Sequence, residues 1–311
     1  MSVEITTAFV QQYASNVFHL SQQKGSRLAG MVRNETQKGK SAFYDRIGSV
    51  AAQKKVGRHS PTPQLDTPHS RRRVTMDDYE WADLIDDQDK IRMLIDPQSD
   101  YAMAAMWALG RSKDDVIIAA ASGIAYAGED GSTQVPMINA QRYAANDGSS
   151  LTNLNILTLR AVKQKFDAND VDESIPRYLA VTSSQINSLL GQTQITSSDF
   201  NTVKALVDGQ VDTYMGFKFV RTERLATVQA SESLTGSAST GAVGSGSSLT
   251  GERKCIAWAM DGILMATGMG VEGKIDPRPD LSYATQVYAR MSIGATRMEE
   301  AKVVEVICKE N

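Results

Sequence analysis

The chain is poor in the residues that most enzyme and metal chemistry needs. Among 311 residues there are two cysteines, three histidines and three tryptophans. Cys255 and Cys308 stand far apart inside apolar runs, with no CxxC and no paired Cys/His spacing, so the usual zinc frameworks are missing. Both read as small buried hydrophobes of a reducing compartment. His19, His59 and His69 all fall in the polar N-terminal third. His59 and His69 lie in a proline-rich stretch, a poor place for the rigid, oriented imidazole of nucleophilic catalysis. No apolar run is long enough for a membrane helix. The first residues show no basic leader followed by an apolar core, giving the expectation of a chain made in the cytoplasm and kept there or freed by lysis. A large net charge is missing too: 33 Lys and Arg against 36 Asp and Glu leave −3. Bulk attraction to nucleic acid is therefore not expected. Taken together, no catalytic residue, cofactor or metal is expected.

What is present is an ordinary globular composition, 41% hydrophobic and 22% charged, long enough for one large or two modest domains. Two short motifs suggest nucleotide chemistry and fail on context. "GMGVEG" places Gly268, Gly270 and Gly273 at GxGxxG spacing, but "KIDPRPD" follows where a dinucleotide fold needs a helix. It reads as a turn entering a strand. "NETQKGKS" ends like a phosphate loop at Gly39-Lys40-Ser41, but the strand-like "AFYDRIG" follows, so no helix N-terminus completes the cradle. It reads as a basic loop.

Charge is strongly segregated between two neighbouring blocks. Residues 38–73 hold nine cations, including Arg58, Arg71, Arg72 and Arg73, against Asp45 and Asp66. Residues 77–89 hold seven acids, among them Asp77, Asp78, Glu80 and Asp83, and no base. The acids do not follow a Ca²⁺-loop pattern. A basic arm with an acidic root suits head-to-tail contact between identical copies. Those eight named residues are the expected intersubunit contacts, with the arginines pairing a neighbour's carboxylates and not DNA.

The local patterns predict a mixed α and β fold. "SAFYDRIGSV" and "RRVTMDDYEWADLI" read as strands around a tip where Pro61, Pro63 and Pro68 each remove a backbone donor. "DPQSDYAMAAMWALGRSKDDVIIAAASG" predicts a long helix, capped by Asp96-Pro97 and stopped at Gly123. Its length would be roughly 39 Å at about 1.5 Å per residue. Gly110 would mark a bend. Met103 and Trp107 are expected on the buried face, with Lys113 and Asp114 nearer solvent. Helices are also expected in 151–170, 183–191 and 196–209, and strands at "PRYLAVTS" and "MGFKFVRTERL". Residues 229–251, almost wholly small and polar, read as a flexible loop that tolerates replacement. "CIAWAMDGILMATGMG" reads as a strand, a turn at Asp261-Gly262 and a short helix, and the final stretch as two strands joined through 294–301.

Three stretches, in order, resemble tailed-phage major capsid proteins of the HK97-like fold, in a podovirus-like branch. "DPQSDYAMAAMWALGRSKDDVIIAAASGIAYAGEDGSTQVP" is similar to that family's spine helix and its exit. "PRYLAVTSSQINSLL", with "DFNTVKALVDGQVDTYMGFKFVRTERL", is similar to its strand–helix–strand pattern. "CIAWAMDGILMATG" through "EAKVVEVIC" is similar to its C-terminal strand pair. The resemblance implies an α+β chain with an N-terminal arm at 1–40 and an extended β-hairpin loop at 41–92. It further implies a peripheral domain with the spine helix at 93–150, an axial domain at 151–285, and returning peripheral strands at 286–311. The implied role is a structural subunit forming hexamers and pentamers of an icosahedral head around double-stranded DNA. An encapsulin-like compartment shell is the alternative on the same fold. The implied partners are other copies, a portal protein, packaged DNA held non-specifically and a separate scaffolding protein, since about 40 residues before the extended loop are too few for a built-in scaffold. The implied location is the virion, after assembly in the host cytoplasm, with no membrane.

Overall fold

The computed structural model describes residues 21–55, 57–58, 64–86, 98–147, 151–192, 213–229 and 251–310. Several expectations lie outside them: the amphipathic pattern between Phe9 and Leu20, His19, His59, Pro61, Pro63, Asp87, Asp89, the Asp96-Pro97 cap, the 196–209 helix and nearly all of the Gly/Ser segment.

In chain order the elements are β1 (Arg33–Thr36), β2 (Ser41–Ile47), β3 (His69–Thr75), β4 (Asp77–Ile85), α1 (Gln98–Ser122), β5 (Ala125–Ala127), β6 (Thr133–Val135) and β7 (Arg142–Ala144). There follow α2 (Ile156–Ala168), β8 (Arg177–Val181), α3 (Ser183–Leu190), β9 (Thr213–Tyr214), β10 (Phe217–Arg221), β11 (Arg253–Ala259), β12 (Ile263–Arg278), β13 (Ala284–Arg297) and β14 (Val303–Cys308). They form three sheets, ordered β1-β12-β13-β4, β7-β14-β11-β8-β10-β9 and β2-β3-β5-β6. The chain divides into two compact units, one of residues 1–26, 78–112 and 269–292, the other of 27–77, 113–268 and 293–311. These lines cut across the four-part division that the resemblance implies.

The larger unit holds the main core. β11 and β14 read as near-continuous apolar runs, "RKCIAWA" and "VVEVIC", because both faces of the six-stranded sheet are covered there. Trp258 is buried, and its indole N–H donates to the Met31 carbonyl at 2.9 Å, so the polar end of the ring is not left unpaired. Phe166 of α2 meets Phe217 of β10 edge-to-face at 5.7 Å. The Asn155 side chain caps α2 by accepting from Thr158 N–H at 2.7 Å. Cys255 and Cys308 are both free and buried on the paired strands β11 and β14. The neighbouring Cys255 thiol, together with burial, pushes the Cys308 thiol well up. Thiolate chemistry is thereby suppressed.

Four local expectations need correction. No short helix follows Asp261-Gly262; a single 3₁₀ turn at Met260–Gly262 leads straight into β12. The run Ile263-Leu264-Met265-Ala266 is buried, and a short apolar run fits a buried strand as well as a helix. "GMGVEG" therefore lies inside a strand and not at a turn. Gly294 does not join two strands but sits within β13, where a Cβ would come within 2.2 Å of the Thr75 carbonyl oxygen. The basic loop begins as a strand, since Asn34 belongs to β1, which pairs in parallel with β12.

The long helix is correctly bounded at Gly123, whose N–H donates to the Ala119 carbonyl at 2.8 Å, but its faces are not as expected. Met103 is exposed and Trp107 only half-buried, with the Lys24 ammonium 5.4 Å from its ring centre. Asp114 is fully buried instead. Its carboxylate accepts from the backbone N–H groups of Arg27 (3.0 and 3.1 Å) and Leu28 (3.1 Å). An irregular segment has backbone donors that no helix or sheet satisfies, and a buried carboxylate answers them. Gly110 has a packing reason too: a Cβ there would meet the Gly25 Cα at 2.6 Å.

Candidate assembly surfaces

The charged block that the sequence singles out is organised around a hairpin. β2 and β3 pair antiparallel from Ser41↔Thr75 to Ile47↔His69, and β3 continues onto β5. At the base of its 48–68 excursion one carboxylate serves three guanidinium groups. Arg72 Nη2 donates to Glu300 Oε1, Arg46 Nη1 lies 3.7 Å from Oε2, and Arg297 Nε lies 3.7 Å from Oε1. Arg46 and Arg72 both also donate to the Met298 carbonyl. Arg297 donates to the carbonyls of Ala121 and Gly123 at 2.9 Å and of Val135 at 3.1 Å. Arg72 and Arg297 are buried to within 1% and 0% of full exclusion from solvent. Burial lowers the proton affinity of both, and the Glu300 charge restores part of it. The cluster fixes the hairpin root to the 298–302 turn between β13 and β14.

This geometry redistributes the expected contact residues. Arg72 is withdrawn from the intersubunit set: it is fully buried and already committed within its own chain. Alternation along β3 decides this, since Arg72 and Val74 face inward while Arg71 and Arg73 face the other way. Arg71 is exposed, 3.2 Å from Asp45 and 5.7 Å from the Phe43 ring centre. Arg73 stacks over Tyr126 at 4.9 Å, and a Cβ on Gly131 would strike its side chain. All three arginines thus have partners inside the chain.

The remaining cations of the hairpin are at its far end. Lys54, Lys55 and Arg58 are exposed, as are the apolar Ile47, Val50 and Leu65. Val50 and Leu65 help line a hollow of about 460 Å³ with Ser49, Asp66 and Pro68. Nothing in the local pattern ranks these tip cations above the denser Arg triplet. On β4, an edge strand of its sheet, Asp77, Asp78, Glu80 and Asp83 are all exposed. Glu80 accepts from the Tyr288 hydroxyl at 3.1 Å, and Asp83 from the Leu84 N–H at 2.9 Å. Acidic side chains on an open edge also discourage indiscriminate strand pairing. Among the described residues no group of three or more His, Cys, Asp or Glu is arranged to hold a metal.

The family model described as phage capsid protein matches residues 5–310. No curated protein sequence matches the chain. Among solved structures, the capsid of the cyanophage P-SCSP1u is similar with a TM-score of 0.74 at 17% identity, over 99% of this chain and 95% of that one. The capsid of Ralstonia phage GP4 gives 0.73 at 8% identity, over 98% and 96%. The acid-stable capsid of Helicobacter pylori bacteriophage KHP30 gives 0.69 at 10%, over 99% and 98%. At such identities the likeness speaks for the HK97-like fold, and the family match carries the assignment: the chain belongs to the phage capsid protein family and is a major capsid protein.

Proposed function

We propose that copies of this chain join as hexameric and pentameric capsomers of an icosahedral head that encloses double-stranded DNA. The role is structural and not catalytic. The observation that carries the reading is the separation of exposed charge: Lys54, Lys55 and Arg58 at the free end of the hairpin, and Asp77, Asp78, Glu80 and Asp83 along the β4 edge. In a head-to-tail contact the cationic tip of one copy lies against the acidic edge of the next. Identical copies related by rotation close into rings through such a contact. Arg71 and Arg73 flank it, and Arg72 holds the hairpin root.

The four-part division into arm, extended loop, peripheral domain and axial domain belongs to this proposal. So do a separate scaffolding protein, a portal, and assembly in the host cytoplasm before the DNA enters. DNA contact is non-specific, and the net charge of −3 leaves little bulk attraction to oppose packaging. Size-exclusion chromatography and electron microscopy of the expressed chain, alone and with a scaffolding protein, test the reading. Closed shells or ring-shaped capsomers are expected. A chain that stays monomeric at high concentration under both conditions would overturn it.

A further inference from the structure

A second hairpin is built differently from the first. β12 and β13 run 16 and 14 residues and are joined by the turn 279–283. Ser282 and Tyr283 both hold positive φ, 51° and 60°. The left-handed region is disfavoured for L-residues, most of all for bulky ones. The β9–β10 turn meets the same demand at Met215 and Gly216 (φ 52° and 84°), with glycine in the second place, where it costs nothing. Here a tyrosine takes that place.

Among the described residues no hydrogen bond or ring contact of Tyr283 repays the choice. Tyr283 is 65% exposed, and Leu281 beside it is 43% exposed. The turn is nonetheless held firmly. Leu281 N–H donates to the Arg278 carbonyl at 3.1 Å, and Ala284 N–H to the Leu281 carbonyl at 2.9 Å. Arg278 grips Asp280 through two bonds of 2.7 and 2.5 Å and reaches Gln286 at 2.9 Å. A residue that breaks a local rule without internal gain, on a braced scaffold, points to a gain made outside the chain.

The charges say what kind of surface it would meet. Residues 269–292 carry Glu272, Asp276 and Asp280 against Lys274, Arg278 and Arg290, a net of zero. Arg278 pairs with Asp280 and Arg290 with Glu272, both within the hairpin. The hydrogen bond from Arg278 holds the Asp280 carboxyl below its ordinary range, so the pair stays ionised and neutral overall. Residues 48–68, by contrast, carry Lys54, Lys55 and Arg58 against Asp66, a net of +2, and two such tips would repel. An apolar end without net charge can pack against its own likeness; a cationic one cannot.

We propose that the 279–283 turn is a homotypic contact, with Leu281 and Tyr283 of one copy packing against the same residues of other copies in the shell. The inference rests on the assignment of the chain as a shell subunit. Tyr283→Gly separates fold from contact, because glycine suits the backbone and removes the ring. The unassembled variant should unfold at the wild-type temperature or above it, while the concentration for half-assembly rises at least about tenfold, as loss of a contact repeated at every subunit requires. Leu281→Ser should raise it likewise. Assembly of both variants at the wild-type concentration would overturn the proposal. Leu281→Cys tests the homotypic geometry, since Cys255 and Cys308 are buried and give little background. A short bis-maleimide should link Leu281→Cys subunits through residue 281 on both sides. Linkage absent, or only to another surface thiol, would overturn the homotypic contact. Wild-type chains that form no particles would count against the shell assignment instead, while the cross-link still reports on the turn in any oligomer that forms.

Discussion

The two hairpins share a topology and solve opposite problems. β2–β3 has strands of seven residues and a long excursion of net charge +2 between them, with its rigidity concentrated at the root, where Glu300 gathers Arg46, Arg72 and Arg297. β12–β13 has long strands, a five-residue turn, no net charge, and its bracing at the tip, where Arg278 holds Asp280. The difference teaches what each end requires from its surroundings. A cationic tip on a fixed root needs an acidic surface that is not its own tip, so it favours contact between unlike surfaces. A neutral, braced, apolar tip favours contact between like surfaces. A shell needs both kinds, since rings require the first and the joining of rings can use the second.

Removing the root carboxylate should break the comparison most severely. Glu300→Ala removes the carboxylate that three guanidinium groups share, two of them buried. Losing one partner of a buried ion pair costs about 3–5 kcal/mol. Chemical denaturation of the unassembled subunit should show it. A loss under about 1 kcal/mol would mean that the backbone carbonyls alone hold the root.

A smaller effect is expected where β13 passes β3. Gly294→Ala puts a methyl group 2.2 Å from the Thr75 carbonyl oxygen, a backbone atom that cannot swing away. Overpacking of this kind costs about 1–3 kcal/mol. A neutral or stabilising result in the same denaturation assay would show that the two strands can separate there.

The gentlest change sharpens the electrostatic half. Replacing Lys54, Lys55 and Arg58 with serine should leave subunit stability unchanged, because all three are exposed. Each lost exposed pair is worth about 0–1 kcal/mol, repeated at every subunit. Assembly followed by light scattering should weaken, and its dependence on salt should flatten. Screening shortens from about 10 Å at 0.1 M to about 3 Å at 1 M, so wild-type assembly should fall across that range. The Tyr283→Gly variant should keep the wild-type salt dependence. Equal salt slopes for wild type and the serine variant would remove the cationic tip from the contact.

Much of this architecture was legible in the sequence because it is local. Alanine-rich patterning ending at Gly123, strand-forming residues in 72–85 and charge segregation over 38–89 are all properties of neighbouring residues. What escaped notice depends on partners far away in sequence. Arg72 meets Glu300 across 228 positions, and Asp114 meets Arg27 across 87. A triplet of arginines gives no sign that alternation buries the middle one against such a partner. Nor does a helix pattern show that a backbone segment will place bare N–H groups on the side where Asp114 stands. The packing roles of Gly110 and Gly294 are hidden for the same reason: each is small because another stretch of backbone crosses it. The Tyr283 anomaly was invisible because "PDLSYA" does not disclose a left-handed tyrosine.

A cryo-electron microscopy map of the assembled particle tests the central claim most directly. It should place Lys54, Lys55 and Arg58 of one copy against Asp77, Asp78, Glu80 and Asp83 of another, and Tyr283 against Tyr283 or Leu281 of further copies. A map in which the cationic tips meet only solvent or DNA, and the 279–283 turns stand apart from one another, would contradict it.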